Sequence, residues 1–243
     1  MQNRQILITG SSLGIGKQLA LFFAEKGYNI IITYKTNKNK SKELQKEIIN
    51  KYQVKCNSYY LDVTKEISIK NLYKKIMREY KNIDILINNA ATDQYTELEE
   101  KNQKNFKKII KTNLIGPFLM IKYYEQNNNK GTIINIASTD GIDTNNFNRL
   151  EYCASKAGLI NLTKSLSLNL KNKIFSISPN WVKTEPILEM NEKELKEELK
   201  KVNQKELINP KTLAQIIYKT INDENIKTGK NIIIRDEEDG KNY

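Results

Sequence analysis

The sequence predicts an α/β fold in which a parallel, seven-stranded sheet is covered by helices on both faces. Three observations lead to this prediction. Short apolar runs alternate along the chain with segments whose apolar residues recur at helical spacing. The runs are almost continuously apolar, as is typical of strands that are buried on both faces. A glycine-rich turn joins the first apolar run to the first helical segment.

The first half of the chain contains four predicted strands with helices between them. The run "RQILITG" predicts the first strand, and an apolar stripe from Ile15 to Phe23 predicts a helix that Gly27 ends. The next strands are "YNIIITY", "VKCNSYYLDV" and "IDILINNA". Between them, "SKELQKEIINKY" and "SIKNLYKKIMREY" predict the second and third helices.

The second half continues the same alternation. A long helix from Gln103 to Tyr124 precedes the fifth strand, "GTIINIAS", and a helix through "EYCASKAGLINLTKSLSLNL" precedes the sixth, "KIFSISP". Helices over 191–205 and 210–221 lead to the last strand, "NIIIR". No linker rich in Pro, Gly or Ser and no fixed-period repeat interrupts this order, so residues 1–243 are expected to form a single domain.

Composition narrows the class of protein. No run of 18 or more apolar residues is present, and no signal-peptide pattern precedes the first strand, so a cytoplasmic protein without membrane spans is expected. Cys56 and Cys153 are far apart and are expected to be free thiols in a reducing compartment. The net charge of +12 comes from lysines spread over the helices, with little arginine, so nucleic-acid binding is not expected. The sequence predicts no metal site.

The glycine-rich turn is "ITGSSLGIGKQLA", with Gly10, Gly14 and Gly16 between the first strand and the first helix. At this position, backbone amides and a helix N-terminus can bind a pyrophosphate, and side chains would keep the phosphates from the backbone. The turn therefore predicts a dinucleotide site. The alternative is a tight turn that binds no ligand.

The chain has no histidine, so another group must move protons if the protein is an enzyme. Two pairs have the spacing Tyr-x-x-x-Lys: Tyr34 with Lys38, and Tyr152 with Lys156. The first pair runs from a strand into a loop. The second lies on one face of a helix that begins near the carboxyl ends of the strands, where ligands bind.

A lysine cation could adapt Tyr152 to acid–base chemistry. At about 5 Å and an effective dielectric constant of about 20, Lys156 would lower the pKa of the phenol by roughly two. A phenol adjusted in this way could act as a general acid or base near neutral pH. The alternative is a half-exposed tyrosine beside a solvated lysine.

Six motifs in order resemble the short-chain dehydrogenase/reductase family. They are the glycine turn with Thr9 before it, "LDV" at 61–63, "NNA" at 88–90, "TNLIG", Ser138 with the Tyr152–Lys156 pair, and "SPNWVKT". The resemblance extends from about Ile6 to Thr184. It implies a doubly wound Rossmann domain and an oxidoreductase that transfers a hydride between NAD(P) and a carbonyl or secondary alcohol.

The resemblance also implies residue roles. Tyr152 would exchange the substrate proton, Lys156 would lower its pKa and hold the nicotinamide ribose, Ser138 would bind the substrate oxygen, and Asn113 would organise a water. Ser138 could instead simply cap the end of its strand. The residues expected to bind the cofactor are Gly10, Ser12, Leu13, Gly14, Ile15, Gly16, Lys35, Asp62, Val63, Asn89, Ala90, Tyr152, Lys156, Val182 and Thr184.

A second observation in the sequence also indicates a water at Asn113. Pro117 lies four residues later in the same predicted helix and has no amide hydrogen, so the Asn113 carbonyl loses its helical partner. A free carbonyl could bind the water. The alternative is a proline kink that matters only for packing.

The end of the second strand favours NADP(H) over NAD(H). A free ribose 2′-hydroxyl calls for an acidic residue there, whereas a 2′-phosphate calls for a cation. No Asp or Glu occurs from Thr33 to Lys40, and Lys35, Lys38 and Lys40 are available.

Three residues or segments depart from the family pattern. Ala91 replaces the glycine of "NNAG", Asn180 replaces the glycine of "PG", and the charged C-terminus "IIIRDEEDGKNY" differs from the apolar ending of many relatives. Asn tolerates positive φ better than most residues, so the backbone at Asn180 could be retained. A homo-oligomer, either a tetramer or a dimer, is still expected.

The substrate pocket is expected between Ser138 with the loop 139–149, residues 93–95, Trp181 and a substrate loop over about 185–208. The resemblance is to 3-oxoacyl-carrier-protein reductases and to sugar dehydrogenases, so either a 3-oxoacyl thioester or a sugar-type substrate is open. A catalytically inactive dinucleotide sensor or scaffold is the alternative function. It would be expected to lack Tyr152, Lys156 or Ser138, and all three are present.

Overall fold

The computed structural model describes residues 4–128, 130–143 and 146–241. Within these ranges, seven parallel strands form one sheet in the order β3-β2-β1-β4-β5-β6-β7. The predicted fold class and the predicted parallel sheet are confirmed. The strands are β1 (Gln5–Ile8), β2 (Asn29–Tyr34), β3 (Cys56–Tyr60), β4 (Ile85–Asn88), β5 (Thr132–Ile136), β6 (Lys173–Pro179) and β7 (Asn231–Ile234).

Helices cover both faces of the sheet, as a doubly wound fold requires. The α-helices of the described residues are α1 (Gly14–Glu25), α2 (Lys38–Tyr52), α3 (Glu66–Glu79), α4 (Gln103–Ile110), α5 (Gly116–Asn127), α6 (Leu150–Leu166), α7 (Glu185–Leu188), α8 (Glu192–Lys201) and α9 (Pro210–Asn222). The short helix α7 was not predicted.

Two apolar layers explain why the strands are almost continuously apolar. In β1, Ile6 and Ile8 pack in the layer that contains α1, α2 and α9. Leu7, between them, packs in the opposite layer with residues of α3 and α5. All three side chains are fully buried. Successive strand residues point to opposite faces, so a sheet covered on both sides needs apolar residues at every position.

The long helix predicted from Gln103 to Tyr124 is divided. A π-helical turn over Lys111–Ile115 separates α4 from α5, and the Gly116 amide donates to the Lys111 carbonyl across five residues. Pro117 follows directly. Its ring clashes with the carbonyl four residues earlier and it has no amide to donate, so a regular α-helical turn is not available here.

The order of the strands indicates at which edge of the sheet a ligand would bind. β1 lies between β2 and β4, so the chain reverses its direction of winding between these strands, and the crevice opens at their carboxyl ends. The segments after β1, β4, β5 and β6 meet there. Among the described helices, none is both long and apolar enough to cross a membrane. The described residues also contain no group of three His, Cys, Asp or Glu side chains placed to hold a metal ion.

Candidate active site

Two clefts meet at the carboxyl edge of the sheet. The larger, about 550 Å³, lies between the glycine turn and the ends of β2, β3 and β4. The smaller, about 190 Å³, lies between the ends of β5 and β6 and the start of α6. Ile15, Asn89, Ala91 and Thr184 line both clefts, so the two form one continuous crevice.

The glycine turn packs tightly against the end of β4. Gly10 has φ +62°, and a Cβ there would lie 2.9 Å from the Cα of Ala90. A Cβ on Gly16 would lie 2.6 Å from Nδ2 of Asn89. That Nδ2 donates to the carbonyls of Thr9 and Gly10, at 3.0 Å each. Glycine at these two positions therefore lets the turn and the start of α1 pack closely against the end of β4.

A carboxylate already occupies the anion position of this turn. The amide of Gly14, the first residue of α1, donates to Oε2 of Glu185 at 3.2 Å, and Lys17 pairs with the other oxygen at 3.2 Å. Burial alone would raise the pKa of Glu185, but its hydrogen bonds and Lys17 lower it overall. The α1 N-terminus therefore accepts an anion, which fits the pyrophosphate of a dinucleotide.

The ends of β2 and β3 carry the charges expected near an adenosine ribose. Lys35 lines the larger cleft and pairs with Asp62 at 3.1 Å. Burial alone would raise the pKa of Asp62, but hydrogen bonds from Thr64 and the Lys35 cation lower it overall. Lys38 and Lys40 lie exposed at the start of α2.

The structure brings most of the predicted cofactor residues to this crevice. Leu13, Gly14 and Gly16 belong to the turn and the start of α1 rather than to the cleft walls. The others line one or both clefts: Gly10, Ser12, Ile15, Lys35, Asp62, Val63, Asn89, Ala90, Tyr152, Lys156, Val182 and Thr184.

Tyr152 and Lys156 lie on the same face of α6, next to Ser138. The Nζ atom of Lys156 is 5.3 Å from the centroid of the Tyr152 ring and donates to the Ile136 carbonyl at 2.6 Å. Burial lowers the pKa of Lys156 to about 8. The other pair, Tyr34 and Lys38, joins the end of β2 to the first residue of α2; Tyr34 lines the larger cleft, and neither residue lines the smaller cleft beside Tyr152.

The pKa of Tyr152 differs from the sequence-based expectation. Burial raises it above its usual value, although Arg149 and a hydrogen bond with Ser138 act in the opposite direction. These two influences do not outweigh the burial of the phenol, and Asp93 and Asp140 raise its pKa further. The phenol is therefore protonated at neutral pH.

Ser138 caps the turn that follows its strand and also faces the smaller cleft. Its Oγ accepts a hydrogen bond from the backbone amide of Asp140 at 3.2 Å and so caps the short 3₁₀ turn Thr139–Gly141. It also lines the smaller cleft beside Tyr152. Capping fixes the hydroxyl at the end of β5, so the two roles are compatible.

Asn113 lies in the π-helical turn behind this face and is almost fully buried. Its Oδ1 accepts the Thr92 amide at 2.8 Å, and its Nδ2 donates to the Thr92 carbonyl at 2.8 Å and to Oγ of Ser155 at 3.1 Å. Both amide hydrogens are thus in use. The side chain fixes the turn to α6, and a water at Asn113 would have to use its main-chain carbonyl.

An arginine lies over the ring of Tyr152. Arg149 precedes Tyr152 by one helical turn, and its Cζ lies 4.4 Å from the Tyr152 ring centroid. Its guanidinium pairs with Asp93 and Asp140, at 2.6 Å each. Trp181 also contacts the guanidinium, with its ring centroid 5.2 Å from Cζ. These residues were expected only as the border of a substrate pocket.

Asn180, which replaces the family glycine, has an ordinary backbone. Positive φ outside glycine occurs, among the described residues, at Gln53 and Asn203. The Asn180 side chain accepts from the Thr139 hydroxyl and donates to the Arg235 carbonyl. It therefore ties the end of β6 to the turn after β5 and to the C-terminal segment, of which residues 242–243 lie outside the described ranges.

The segment 185–208 closes one side of the smaller cleft. Ile187 and Val202 line it. Glu198 of α8 is buried and accepts the Tyr95 hydroxyl at 2.6 Å and Nδ2 of Asn146 at 3.2 Å. The expected border loop 139–149 includes residues 144–145, which lie outside the described ranges. Glu185 had no distinguishing signal in the sequence, because an acid that starts a short helix is ordinary.

Comparison with known proteins agrees with this geometry. The family model for the short chain dehydrogenases matches residues 4–197. A 3-oxoacyl-[acyl-carrier-protein] reductase FabG of Aquifex aeolicus is 32% identical over 206 residues, which cover 82% of each chain.

Solved structures share the fold. A dehydrogenase/reductase of Sinorhizobium meliloti superposes with a TM-score of 0.89 at 21% identity, over 97% of this chain and 94% of that one. A short chain dehydrogenase of Burkholderia cenocepacia, solved in complex with NADP, gives 0.88 at 19% identity, over 96% of both chains. The fold, the family match and the relative at 32% identity agree. The chain therefore belongs to the short-chain dehydrogenase/reductase family and is an oxidoreductase that acts on CH–OH or carbonyl groups.

Proposed function

We propose that this oxidoreductase uses NADP(H) and reduces a substrate carbonyl to a secondary alcohol, with Tyr152 as the general acid. The observation that supports this best is that Tyr152, Lys156 and Ser138 line one small cleft that continues into the larger cleft behind the glycine turn. Lys35 at the end of β2, and the absence of an acidic residue from Thr33 to Lys40, favour a 2′-phosphate over a free hydroxyl.

The side chains would divide the reaction between them. The bound dinucleotide supplies or removes the hydride. Ser138 would orient the substrate oxygen, and the Tyr152 hydroxyl would donate its proton to that oxygen. Burial keeps this phenol protonated, which suits it to donate in the direction of reduction. Lys156 would hold the nicotinamide ribose, and the Asn113 carbonyl would bind a water that returns a proton to the site.

The preferred substrate class is a 3-oxoacyl thioester, because the relative at 32% identity is a 3-oxoacyl-[acyl-carrier-protein] reductase. The segment 185–208 would contact its acyl chain through Ile187 and Val202. A sugar-type substrate is the second candidate. Asp140, Arg149 and Trp181 line the same cleft, and polar groups beside an aromatic ring suit a polyhydroxylated ligand.

The test is NADPH oxidation by the purified protein with acetoacetyl-coenzyme A, a 3-oxo ester, a cyclic ketone and a set of aldoses and ketoses. We expect turnover with NADPH and at least one of these carbonyls. Tyr152→Phe retains the ring and removes the proton, so turnover should fall by at least about 100-fold with little change in NADPH affinity. A Tyr152→Phe protein as active as the wild type would contradict the mechanism. Tight NADPH binding without turnover of any carbonyl would favour the inactive sensor.

We also propose that the protein forms a homo-oligomer, a dimer or a tetramer, through the face shared by α6, the π-helical turn and the start of α5. Ile115 and Phe118 are more than 40% exposed there, and they border a groove with Leu114, Gly158 and Leu162. Apolar patches of this kind mark interfaces. Light scattering of the wild type and of Phe118→Glu tests this. The wild type should be oligomeric and the variant smaller, and a monomeric wild type would refute the proposal.

A further inference from the structure

We propose that Arg149 is a positioning residue that holds the Tyr152 ring in place and, balanced by Asp93 and Asp140, sets the electrostatic environment of its hydroxyl. This proposal rests on the proposed function of Tyr152 as the proton donor. It assigns a role to a cluster that Lys156 and Ser138 do not explain.

The contact between Arg149 and Tyr152 is close and dry. The guanidinium Cζ lies 4.4 Å from the Tyr152 ring centroid and 5.2 Å from that of Trp181, so the cation contacts both aromatic rings. Arg149 is 9% exposed. A cation on the face of an aromatic ring is attracted to it, and desolvation strengthens this attraction. The packed cation therefore restricts the movement of the Tyr152 ring.

Two carboxylates hold the guanidinium itself. Its Nε donates to Oδ2 of Asp93 at 2.6 Å, and its Nη1 donates to Oδ2 of Asp140 at 2.6 Å. Asp93 follows β4 and Asp140 follows β5, so the arginine, which directly precedes α6, joins two strand ends to the start of that helix. A planar guanidinium can make these bonds and lie on a ring at once, whereas a lysine ammonium cannot.

The charges around Tyr152 come from four elements. Arg149 and Lys156 of α6 are cations, Asp93 and Asp140 are anions, and Glu198 of α8 acts on Arg149 and Asp140 from outside. Burial lowers the pKa of Lys156 to about 8, so this cation is lost under alkaline conditions. The pKa of Arg149 is held above its ordinary value, because Tyr152, Asp93 and Asp140 outweigh its burial. Arg149 is therefore the cation that persists beside Tyr152 as pH rises.

Removing the cation and removing an anion should shift the pKa of Tyr152 in opposite directions. Arg149 favours the phenolate, so Arg149→Met should make Tyr152 harder to deprotonate. Asp93 favours the neutral phenol, so Asp93→Asn should make it easier. If the role of these residues were purely structural, both variants would have lower activity, but the pKa of Tyr152 would not shift in opposite directions.

The experiment measures kcat for alcohol oxidation against pH, with NADP⁺ and the alcohol product of the best carbonyl in the panel above. The rising limb of this profile reports Tyr152, which must be deprotonated to act as the base. Arg149→Met should move the limb to higher pH by about one to two pH units, and Asp93→Asn to lower pH by about half a unit to one. Glu66→Gln, which removes an exposed paired carboxylate of α3, is the control and should leave the limb in place.

If Arg149→Met fails to fold, Arg149→Lys and Asp93→Asn carry the test. Arg149→Lys should keep part of the shift and lower kcat, because the charge remains but the fork and the ring contact are lost. If no alcohol of the panel is oxidised, the same shifts are read from the NMR signal of ¹³Cζ-labelled Tyr152, assigned with Tyr152→Phe. The proposal would be overturned if the rising limb of the pH profile stayed within experimental error of the wild type in both Arg149→Met and Asp93→Asn. If the limbs are unchanged but Tyr152→Phe is inactive, the proposed function stands and only the role proposed for Arg149 is refuted.

Discussion

The Glu185 carboxylate accepts a hydrogen bond from the Gly14 amide, at 3.2 Å. This contact joins the first residue of α7 to the first residue of α1. In the proposed complex, a cofactor phosphate needs the same helix N-terminus, and a carboxylate and a phosphate repel each other there. In that complex, cofactor binding would be coupled to the position of α7.

We expect Glu185→Gln to bind NADPH about two- to fivefold more tightly, because the amide side chain keeps its shape but loses the charge that competes at the helix N-terminus. Isothermal titration calorimetry measures this affinity. Glu189→Gln, an exposed carboxylate directly after α7, is the matched control and should bind as the wild type does. Equal or weaker binding by Glu185→Gln would show that Glu185 does not compete with the phosphates.

The cofactor preference depends on Lys35. Lys35→Asp removes the cation, adds a carboxylate beside Asp62, and should weaken NADPH relative to NADH by at least about tenfold, the scale of a hydrogen bond to a charged group. The ratio of the two dissociation constants measures the effect. Lys40→Asp on the exposed surface of α2 controls for net charge. A wild type that binds NADH more tightly than NADPH would show that the NADP(H) assignment was wrong.

NADPH binding should depend on the protonation of Lys156. Burial lowers its pKa to about 8, so the side chain is charged below this pH and becomes neutral as pH rises through it. If the ammonium holds the nicotinamide ribose, affinity should decline by about tenfold between pH 7 and pH 10. NADPH fluorescence measures the affinity. Lys156→Met should bind weakly at every pH in this range, and a pH dependence unchanged in that variant would assign it to another group.

Pro117→Ala tests the π-helical turn. Alanine supplies an amide four residues after Asn113, so the turn can close into a regular α-helix, and stability should hold or rise by up to about 3 kcal/mol. Closing the turn would move Asn113 from Thr92 and Ser155, so turnover should fall while NADPH affinity is spared. Melting temperature and kcat measure these effects.

Pro210→Ala provides the matched control, because Pro210 is the first residue of α9, where proline costs a helix nothing. Its kcat should equal that of the wild type. A Pro117→Ala protein that is fully active, with the Asn113 carbonyl closed by the new amide in its structure, would remove the proposed water from the mechanism.

Much of the fold could be predicted because its signals are local. Each strand is an apolar run and each helix a periodic stripe, so β6 was predicted with its observed bounds and most other elements within a few residues. The glycine turn and the Tyr152–Lys156 pair were equally local, since each lies within one segment of chain. Pro117 predicted a perturbed helix at Asn113, although not the π-helical form that it takes.

The parts that escaped prediction join distant segments. Arg149 meets Asp93 across 56 positions, and Glu185 meets Gly14 across 171. No sequence pattern marks such pairs, because the order of strands in the sheet, rather than spacing along the chain, brings them together. The raised pKa of Tyr152 has the same origin. The sequence shows that Lys156 lies four residues from Tyr152. Burial has the largest effect on the pKa of Tyr152, and this burial arises only when the segments after β4, β5 and β6 pack around the ring.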